Sequence, residues 1–345
     1  MEQVENEFKD KIILVTGGTG SIGSRIVELL LPLGPRQIRV FSRDETKQFE
    51  LMHKLGNPAG INWLIGDIRD KERLNMAMEN VDIVFHAAAM KHVLACEKNP
   101  FEAVKTNVEG TQNIINCAFA NQVEKVIGIS TDKATDPMNV MGCTKLLAEK
   151  MMLASYHYKG NKKTKFCFVR FGNVLFSRGS VLPLFIEQIK KGGPVTVTDI
   201  DMTRFVMSTR DATKLIFKSS SLMSDREIFI LKMPTLRIAD LAQALINIYA
   251  PRFNFKPQDI TIEYIGKKAG ERIHEKLLTT EEADYAFENN EMFVITPVIG
   301  TDGDNFSQRY PDMQKARPGE FSTTTQTKLS VAEIEELLLK EDNKV

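Results

Sequence analysis

Long apolar segments are missing from this 345-residue sequence. No run approaches the ~18 consecutive apolar residues that a membrane-spanning helix needs. Residues 1–11 are rich in acidic side chains and contain no apolar signal core, so they do not read as a secretory signal. We therefore expect a protein without a membrane span.

Cysteine is also scarce, and its positions follow no disulfide or metal-binding pattern. The four cysteines are Cys96, Cys117, Cys143 and Cys167. They form no CxxC pair and have no zinc spacing. Three of the histidines, His53, His157 and His274, likewise lack ligand spacing, so no metal is expected. Scattered thiols favour a reducing, cytoplasmic location.

An excess of charge is absent as well, because 45 basic side chains balance 45 acidic ones. A balanced chain has no long-range attraction to nucleic acid or to an anionic membrane surface, and neither partner is expected. The apolar fraction of 43% is ordinary for a globular protein. The length favours one large domain with a smaller companion.

What the sequence does contain is a regular alternation of apolar runs and helical patterns over its first two-thirds. The predicted strands are 12–16, 38–41, 62–65, 83–86, 125–130 and 166–171. Strands that alternate with helices predict an α/β fold with a doubly wound parallel sheet.

Beyond residue 174 the alternation becomes irregular, which suggests a second, smaller unit. We expect residues 1–174 to form the main domain, with segments of about 201–231 returning to it. Residues 175–200 and 232–298 are expected to form a small substrate-binding lobe, and 299–345 a C-terminal tail. Within that tail, residues 300–304 are predicted to form a loop. Ser330 and Glu333 are spaced as a capping box before a terminal helix.

A glycine-rich loop follows the first predicted strand and leads into a helix. Its residues are Gly17, Gly18, Thr19, Gly20, Ser21, Ile22 and Gly23. Glycines at this point permit a tight turn and a close backbone approach, and the helix N-terminus offers free N–H groups to a pyrophosphate. The loop therefore predicts a dinucleotide-binding Rossmann unit.

The end of the second predicted strand indicates which dinucleotide is bound. An acidic residue there would hold the ribose 2′-hydroxyl group of NAD, but this sequence has Ser42 and Arg43. A hydroxyl group and a guanidinium group suit a 2′-phosphate, so NADP is favoured over NAD. Asp44 is expected to cap the next helix. Further cofactor contacts are expected from the ends of the third and fourth strands, at Asp67, Ile68, Ala87, Ala88 and Ala89.

The fifth predicted strand ends in Ser130-Thr131-Asp132-Lys133. Ligands bind at the carboxyl ends of strands in such sheets, and a neighbouring acid and amine can take separate acid and base roles. Alone, an Asp-Lys pair is more often an ordinary surface turn.

Several segments together resemble the extended short-chain dehydrogenase/reductase superfamily, and more narrowly the UDP-N-acetylglucosamine 4,6-dehydratases of bacterial surface-sugar pathways. They are TGGTGSIG at 16–23, SRDE at 42–45, HAAAMKHVLACEKNPFEAVKTNVEGT at 86–111, STDKATDPMNVMGCTK at 130–145, VRFGNVLFSRGSVLP at 169–183, DMTRF at 201–205 and GERIHE at 270–275. The resemblance extends from about residue 11 to residue 297.

The resemblance implies a lyase that oxidises C4 of the sugar, eliminates water across C5 and C6, and returns the hydride from NADPH to C6. Lys133 would be the C5 base, with its pKa depressed by burial, and Asp132 would protonate the departing hydroxyl group. The superfamily's Tyr-x-x-x-Lys pair is here Met141 and Lys145, and a thioether cannot move a proton. Which group deprotonates the C4 hydroxyl stays open among Thr131, Lys145 acting through a water, and Asp132.

The resemblance also implies binding roles for other positions. Lys145 would contact the nicotinamide ribose, and Asn107 would stiffen the site or hold a water. The substrate-binding residues would be Lys91, His92, Asn173, Arg178, Ser180, Val181, Arg204 and Glu271. Where the family has arginine before the Gly-Glu pair, this chain has Lys268 and Ala269, which suggests a weaker or shifted phosphate grip.

Three functions remain open. The first is a UDP-N-acetylglucosamine 4,6-dehydratase acting on a UDP-N-acetylhexosamine in polysaccharide biosynthesis. The second is a nucleotide-sugar 4-epimerase or reductase on the same fold. The third is a redox-silent NADP-binding regulatory protein, suggested by the missing tyrosine. Relatives in this family assemble, so a homo-oligomer is expected, while the sequence leaves the stereochemistry at C5 undecided.

Overall fold

The computed structural model describes residues 6–268, 270–297 and 310–342. The predicted loop at 300–304 and Ala269 lie outside these residues. Among the described residues, no helix combines the length and the apolar character that crossing a bilayer requires.

A ten-stranded sheet organises the larger part of the molecule. Its first six strands are β1 (Ile12–Thr16), β2 (Gln37–Ser42), β3 (Ile61–Ile65), β4 (Ile83–His86), β5 (Lys125–Ile129) and β6 (Lys165–Arg170). They are parallel and lie in the spatial order 3-2-1-4-5-6, which is the order of a dinucleotide-binding Rossmann sheet. All five residues of β1 are buried, as expected for a strand with helices on both faces.

The helices of this unit connect successive strands. They are α1 (Ser21–Leu30), α2 (Glu45–Lys54), α3 (Lys71–Met78), α4 (Val93–Lys98), α5 (Pro100–Ala103), α6 (Gly110–Ala120) and α7 (Val140–Ala154), with a π-helical stretch at Val104–Glu109 that leads into α6. Aspartates begin two of them: Asp44 accepts a hydrogen bond from the N–H of Lys47, and Asp70 accepts one from the N–H of Arg73. Each satisfies one of the free N–H groups of a helix start. The predicted cap at Asp44 is therefore confirmed.

Four more strands extend the sheet beyond β6. Strand β10 (Ile228–Leu231) is parallel to β6, and β15 (Met292–Ile295), β14 (Ala286–Glu288) and β16 (Gln314–Lys315) follow in antiparallel pairings. The sequence analysis placed 286–295 in the small lobe and 314–315 in a tail, and both assignments are wrong. These strands complete the edge of the main sheet through pairings between distant segments, which local sequence patterns do not reveal.

A second apolar core lies beside the sheet. It is built from three helices and several short strands. The elements are β7 (Asn173–Val174), α8 (Val181–Lys190), β8 (Val195–Val197), β9 (Thr203–Met207), β11 (Thr235–Arg237), α10 (Ile238–Tyr249), β12 (Ile262–Tyr264) and α12 (Val331–Asp342). Ile334 and Leu338 of α12 are fully buried in this core. The terminal helix thus packs onto the lobe and is not a free tail, and its predicted Ser330–Glu333 capping box is present.

The remaining elements connect the two cores. Helix α9 (Thr209–Leu222) packs against the main sheet, and α11 (Thr280–Ala283) starts with a capping box at Thr279 and Glu282. Strand β13 (Lys276–Leu278) pairs with β17 (Phe321–Ser322) next to the short 3-10 helix Asp132–Ala134 that follows β5. The C-terminal segments are thereby brought to the carboxyl ends of the parallel strands.

Candidate functional site

A cleft opens at the carboxyl ends of β1 to β4. It contains most of the residues predicted to bind a dinucleotide. The lining comprises Gly17, Thr19, Gly20, Ser21, Phe41, Ser42, Arg43, Asp44, Lys47, Gly66, Asp67, Ile68, Ala87, Ala88, Ala89, Lys91, His92, Thr106, Arg178 and Gly179. Ile22, Gly23, Asn107 and Lys145, which were also predicted to bind the cofactor, are not part of this lining.

The glycine loop has a backbone that side chains would obstruct. Gly17 has a φ of +64°, and a Cβ atom there would lie 2.7 Å from the backbone nitrogen of Ala88. A Cβ on Gly23 would lie 2.2 Å from the carbonyl oxygen of Gly17. No described side chain caps the start of α1 at Gly20, and Gly20 and Ser21 line the cleft, so the first N–H groups of the helix are left for a ligand. The cradle therefore fits the pyrophosphate of a dinucleotide.

At the far end of the cleft, next to the end of β2, basic side chains lie around the residues that were predicted to hold a 2′-phosphate. The Arg43 side chain is 59% exposed and lies 3.5 Å from Asp67 in a loose ion pair. Arg69 donates closer hydrogen bonds to Asp67, which outweigh the effect of burial and lower the pKa of that carboxyl group. Lys47, which the sequence analysis did not single out, adds a second cation at this rim. The hydroxyl group of Ser42 accepts a hydrogen bond from Gln48.

A second pocket adjoins the first and lies between the main sheet and the small lobe. Its lining comprises Val93, Leu94, Lys133, Met138, Asn139, Asn173, Gly179, Ser180, Val181, Leu184, Phe185, Thr196, Thr198, Met202, Arg204, Ile238, Ile265, Lys268, Gly270, Glu271, Arg272 and Glu275. Five predicted substrate residues are here: Asn173, Ser180, Val181, Arg204 and Glu271. Gly179 lines both pockets, so a group bound in one lies next to a group bound in the other.

Three predicted substrate residues lie instead in the cofactor cleft. The N–H of Arg178 donates to the Ser21 hydroxyl group at 3.0 Å, and its guanidinium group donates to the Thr19 carbonyl oxygen at 2.9 Å. Lys91 donates to the carbonyl oxygen of Arg178 at 2.7 Å. Burial and the nearby Arg178 lower the pKa of Lys91, and burial followed by the charge of Lys91 lowers the pKa of His92. Lys91, His92 and Arg178 thus border the phosphate loop.

Arg204 forms part of the pocket wall, but its guanidinium group is occupied. It donates to the carbonyl oxygens of Thr203, Arg272 and Ile273, and its Nε atom lies 3.8 Å from Glu275. These contacts join β9 to the chain before β13. The guanidinium group is therefore engaged within the protein, and a diphosphate would have to share it.

The predicted pair Asp132–Lys133 forms a cluster with a third ionisable residue. The ammonium group of Lys133 lies 2.9 Å from Asp132 Oδ1 and 3.3 Å from Glu275 Oε1. Asp132 is completely buried and Glu275 is 2% exposed. Of the three, Lys133 and Glu275 line the second pocket and Asp132 does not.

The pKa of Lys133 shifts in the direction opposite to the expectation. Burial lowers its pKa, but the carboxylates of Asp132 and Glu275 outweigh burial and raise the pKa above the ordinary value. The predicted depression of this pKa is therefore wrong, because burial was considered without Glu275. Burial raises the pKa of Glu275, Lys133 lowers it and Asp132 raises it, and the result is upward.

The other predicted catalytic residues, Thr131, Lys145 and Met141, are not part of the lining of either pocket. Thr131 donates to Asp132 Oδ1 at 2.9 Å, and Lys145 donates to the carbonyl oxygen of Ile129 at 2.5 Å. Burial lowers the pKa of Lys145 to about 8, against the opposing effect of Glu149. Met141 is buried in an apolar cluster with Cys96 and Ala103, which gives its side chain a packing role.

Asn107 acts as a clamp within the protein. Its amide group exchanges hydrogen bonds with both the N–H and the carbonyl oxygen of Met90, and it also donates to the hydroxyl group of Thr144 at 3.0 Å. These contacts fix the chain after β4 against α7. Whether Asn107 stiffens the site or holds a water stays a prediction.

Glu275 is the main site residue that sequence reasoning missed. It belongs to the segment GERIHE, which carried part of the resemblance, but its place in the chain gives no sign that it lies beside Lys133. Its N–H donates to the Thr323 hydroxyl group at 3.0 Å, and the N–H of Thr323 donates to its carbonyl oxygen at 2.8 Å. A strand pairing between distant segments therefore positions this carboxyl group.

Comparison with known proteins agrees with this architecture. Residues 13–297 match the family described as polysaccharide biosynthesis protein. This chain belongs to that family. Its sheet order and phosphate loop place it among the extended short-chain dehydrogenases/reductases, whose Rossmann fold binds NAD(P).

Individual relatives cover most of the chain. A Methanocaldococcus jannaschii protein named as an uncharacterized membrane protein is 57% identical over 302 residues, covering 88% of this chain and 90% of the relative. A UDP-N-acetylglucosamine 4,6-dehydratase (inverting) of Campylobacter jejuni is 44% identical, with coverage of 85% and 84%. A UDP-glucose 4-epimerase of Rickettsia rickettsii is 40% identical, with coverage of 97% for each. The solved structure of Pen from Bacillus thuringiensis is 42% identical, with a TM-score of 0.90 and coverage of 96% and 98%.

Proposed function

We propose that this protein is a nucleotide-sugar enzyme of the dehydratase and epimerase class, and specifically a UDP-N-acetylglucosamine 4,6-dehydratase that uses NADP. The observation that carries the proposal is the Asp132–Lys133–Glu275 cluster, which borders a pocket joined to the dinucleotide cleft. A 4-epimerase moves a hydride and the hydroxyl proton at C4, whereas removing water across C5 and C6 requires a further acid and a further base. The cluster supplies both types of group.

The residues of the two pockets divide the binding work. The loop at 17–23 and the start of α1 would hold the pyrophosphate of the dinucleotide, and Ser42 and Arg43 would hold its 2′-phosphate. Asn173, Ser180 and Glu271 would contact the sugar nucleotide in the second pocket. The bound nicotinamide would accept hydride from C4 and later supply it to C6.

The sugar chemistry is assigned to the chain's own groups. Lys133, at the pocket wall, would take the C5 proton once the ketone at C4 has acidified it. Lys145 and Thr131 are our candidates for the base that deprotonates the C4 hydroxyl group, a role that a tyrosine fills in the superfamily. Met141 would take no part in proton transfer, because its thioether is packed among apolar side chains.

Mass spectrometry of the sugar nucleotide tests this proposal. The purified protein is incubated with UDP-N-acetylglucosamine and NADP, without an added reductant. Loss of one water supports the dehydratase. An unchanged mass with altered stereochemistry would identify the epimerase suggested by the Rickettsia relative, and an unchanged substrate would leave a redox-silent NADP-binding protein.

A variant separates chemistry from cofactor binding. Lys133→Ala is expected to abolish water loss while NADP remains bound, since Lys133 does not line the cofactor cleft. Normal turnover by this variant would contradict the base assignment. We also propose that the protein is a homo-oligomer, as the family resemblance implies. Light scattering of the native protein measures its oligomeric state.

A further inference from the structure

We propose that Glu149 is a positioning residue for the oxidation at C4: it fixes the strand end to which Lys145 is bound, and it sets the charge that Lys145 carries. This inference rests on the proposed function and adds a residue that belongs to the lining of neither pocket. It is carried by the hydrogen bonds of Glu149 with Ser130 and Arg170.

Lys145 and Glu149 lie one turn apart on α7, so their side chains point to the same face of the helix. Both side chains are bound to the end of β5. Lys145 donates a hydrogen bond to the carbonyl oxygen of Ile129, and the hydroxyl group of Ser130 donates one to Glu149 Oε1. Two side chains of one helix thus hold two successive residues of the chain. Glu149 therefore helps to place the carbonyl oxygen that binds Lys145.

The carboxylate of Glu149 is completely buried, and its charge is matched by a buried cation. Arg170 on β6 donates hydrogen bonds to both carboxylate oxygens, from Nε to Oε1 at 3.2 Å and from Nη2 to Oε2 at 2.8 Å. A buried carboxylate is costly without such partners. The hydrogen bonds from Ser130 and Arg170 therefore hold this charge at one place behind the site.

The charge of Glu149 acts on Lys145. Burial lowers the pKa of Lys145 to about 8, and the carboxylate of Glu149 opposes that effect. His86 on β4 faces Lys145 from the sheet, but burial and the charge of Lys145 lower the pKa of His86 to about 3, so this imidazole is neutral near pH 7. Of the charged groups among the described residues, Glu149 is thus the one that favours the ammonium form of Lys145.

The other elements that pack against α7 carry charges that are engaged elsewhere. Glu97 on α4 accepts a hydrogen bond from the N–H of Val140, at the first residue of α7. Lys105 in the π-helical stretch pairs with Glu102. In the 3-10 helix after β5, the Asp132–Lys133 pair is closed on itself. These contacts leave the influence on Lys145 to the carboxylate on its own helix.

The oxidation at C4 shows what this carboxylate does. As hydride leaves C4 for NADP, the proton of the C4 hydroxyl group passes to the neutral amine of Lys145, directly or through a water, and the C4–O bond becomes a carbonyl group. The amine thereby becomes an ammonium group, which Glu149 stabilises. The same charge keeps a larger share of the amine protonated before the reaction. Glu149 thus sets the balance between the strength of the base and the amount of free base.

Glu149→Gln removes the charge and keeps the shape of the side chain. Glu282→Gln is the matched control, because Glu282 on α11 pairs with the same guanidinium group, so each variant deprives Arg170 of one carboxylate. The first measurement is the single-turnover rate of NADPH formation with UDP-N-acetylglucosamine at a series of pH values. The second is the trace acetylation of Lys145, followed by peptide mass spectrometry on protein with NADP and no sugar nucleotide. Acetylation reports the neutral amine without any catalysis.

In the wild-type protein both profiles should have their midpoint at about 8. Glu149→Gln should lower both midpoints by about one pH unit, the usual effect of losing a nearby opposite charge. Its rate at high pH should fall about tenfold, because the amine becomes a weaker base and loses its support at β5. Glu282→Gln should leave both midpoints at their wild-type values.

A midpoint is read within one preparation, so it does not depend on the fraction of correctly folded protein. Unchanged midpoints in Glu149→Gln, or equal shifts in Glu149→Gln and Glu282→Gln, would overturn the proposal. Ser130→Ala is the second variant, because it keeps the charge of Glu149 and loses the hydrogen bond to β5. It should slow NADPH formation at every pH and leave both midpoints unchanged, and a wild-type rate would contradict the positioning role.

The two measurements also separate this inference from the proposed function. If the wild-type protein forms no NADPH with UDP-N-acetylglucosamine while the acetylation midpoint shifts in Glu149→Gln, the proposed function fails and the effect of Glu149 on Lys145 stands. If NADPH forms and the acetylation midpoint stays the same in both proteins, the function stands and the role of Glu149 is refuted.

Discussion

The guanidinium group of Arg178 donates a hydrogen bond to the carbonyl oxygen of Thr19 at 2.9 Å, which joins the segment before α8 to the phosphate loop. The N–H of Arg178 makes a second contact with the Ser21 hydroxyl group of the same loop. The chain that begins the small lobe is therefore held against the dinucleotide cleft. Arg178 therefore lies beside the dinucleotide cleft, whereas the sequence resemblance implied a contact with the sugar nucleotide.

Arg178→Ala is expected to weaken NADP binding about tenfold or more, since hydrogen bonds from a charged donor contribute ~1.5–3 kcal/mol. The reason is the loss of a cation that supports the phosphate loop. Calorimetric titration of the variant with NADP measures the dissociation constant. Arg272→Ala is the matched control, because Arg272 lines only the second pocket; it should raise the KM for the sugar nucleotide and leave NADP affinity unchanged. The opposite pattern would restore Arg178 to the sugar nucleotide.

Arg43→Ala should change the choice of dinucleotide. The Arg43 side chain is 59% exposed, lies at the end of the cleft next to β2 and is paired with Asp67 only at 3.5 Å, so its guanidinium group can turn to a 2′-phosphate. Removing it should reduce NADP affinity about tenfold or more and leave NAD affinity nearly unchanged. Arg43→Lys keeps the charge without the paired donors, so its NADP affinity should lie between those of wild type and Arg43→Ala. An equal loss of affinity for NADP and NAD in Arg43→Ala would show that Arg43 does not contact the 2′-phosphate.

The lowered pKa of Lys145 predicts that the first step, the oxidation at C4, depends on pH. Burial brings the pKa of its ammonium group to about 8, and the titratable groups that act on it or respond to it are Glu149 on α7 and His86 on β4. The neutral amine can accept a proton, so C4 oxidation should accelerate as the pH rises through about 8. If Lys145 served only as a cation for the cofactor, the rate would fall over the same interval.

Single-turnover spectroscopy of the nicotinamide at a series of pH values shows whether the rate of C4 oxidation rises or falls as the pH increases. Lys145→Arg is the control, because a guanidinium group stays protonated throughout this range. The variant should bind NADP and show a slow, pH-independent oxidation. A pH profile in Lys145→Arg that matches wild type would exclude Lys145 as the titrating group.

The sequence predicted the parts of the site that depend on local pattern. The strand β1, the glycine loop and the start of α1 are adjacent in the chain, so the dinucleotide cradle could be inferred from a dozen residues. Asp132 and Lys133 follow a buried strand, and the position of such residues at the carboxyl edge of a parallel sheet follows from topology alone.

The parts that escaped prediction depend on contacts between distant segments. Glu275 lies next to Lys133 because β13 pairs with β17. No hydrophobic periodicity in residues 276–278 or 321–322 predicts that pairing. The same limitation explains why β14, β15 and β16 were assigned away from the main sheet. The error over the Lys133 pKa is a consequence, since its sign depends on a carboxylate more than a hundred positions away in the chain.

A buried charge network behind the site provides the last prediction, which concerns stability. Arg170 on β6 is completely buried and forms ion pairs with Glu149 at 2.8 Å and with Glu282 at 2.9 Å. It also donates to the carbonyl oxygen of Leu277, so β6, α7 and the segment after β13 meet at one guanidinium group. Arg170→Met leaves two carboxylates without their cation, and breaking such a buried pair costs about 3–5 kcal/mol in the free energy of unfolding. Urea unfolding followed by circular dichroism measures the change.

Arg237→Met is the matched control, because Arg237 pairs with Asp240 at an exposed position where solvent screens the interaction. The unfolding midpoint of this variant should stay close to that of wild type. Equal shifts in the two variants would mean that the buried network adds no more stability than a surface ion pair. A loss confined to Arg170→Met would show that this guanidinium group stabilises the fold where β6, α7 and the segment after β13 meet.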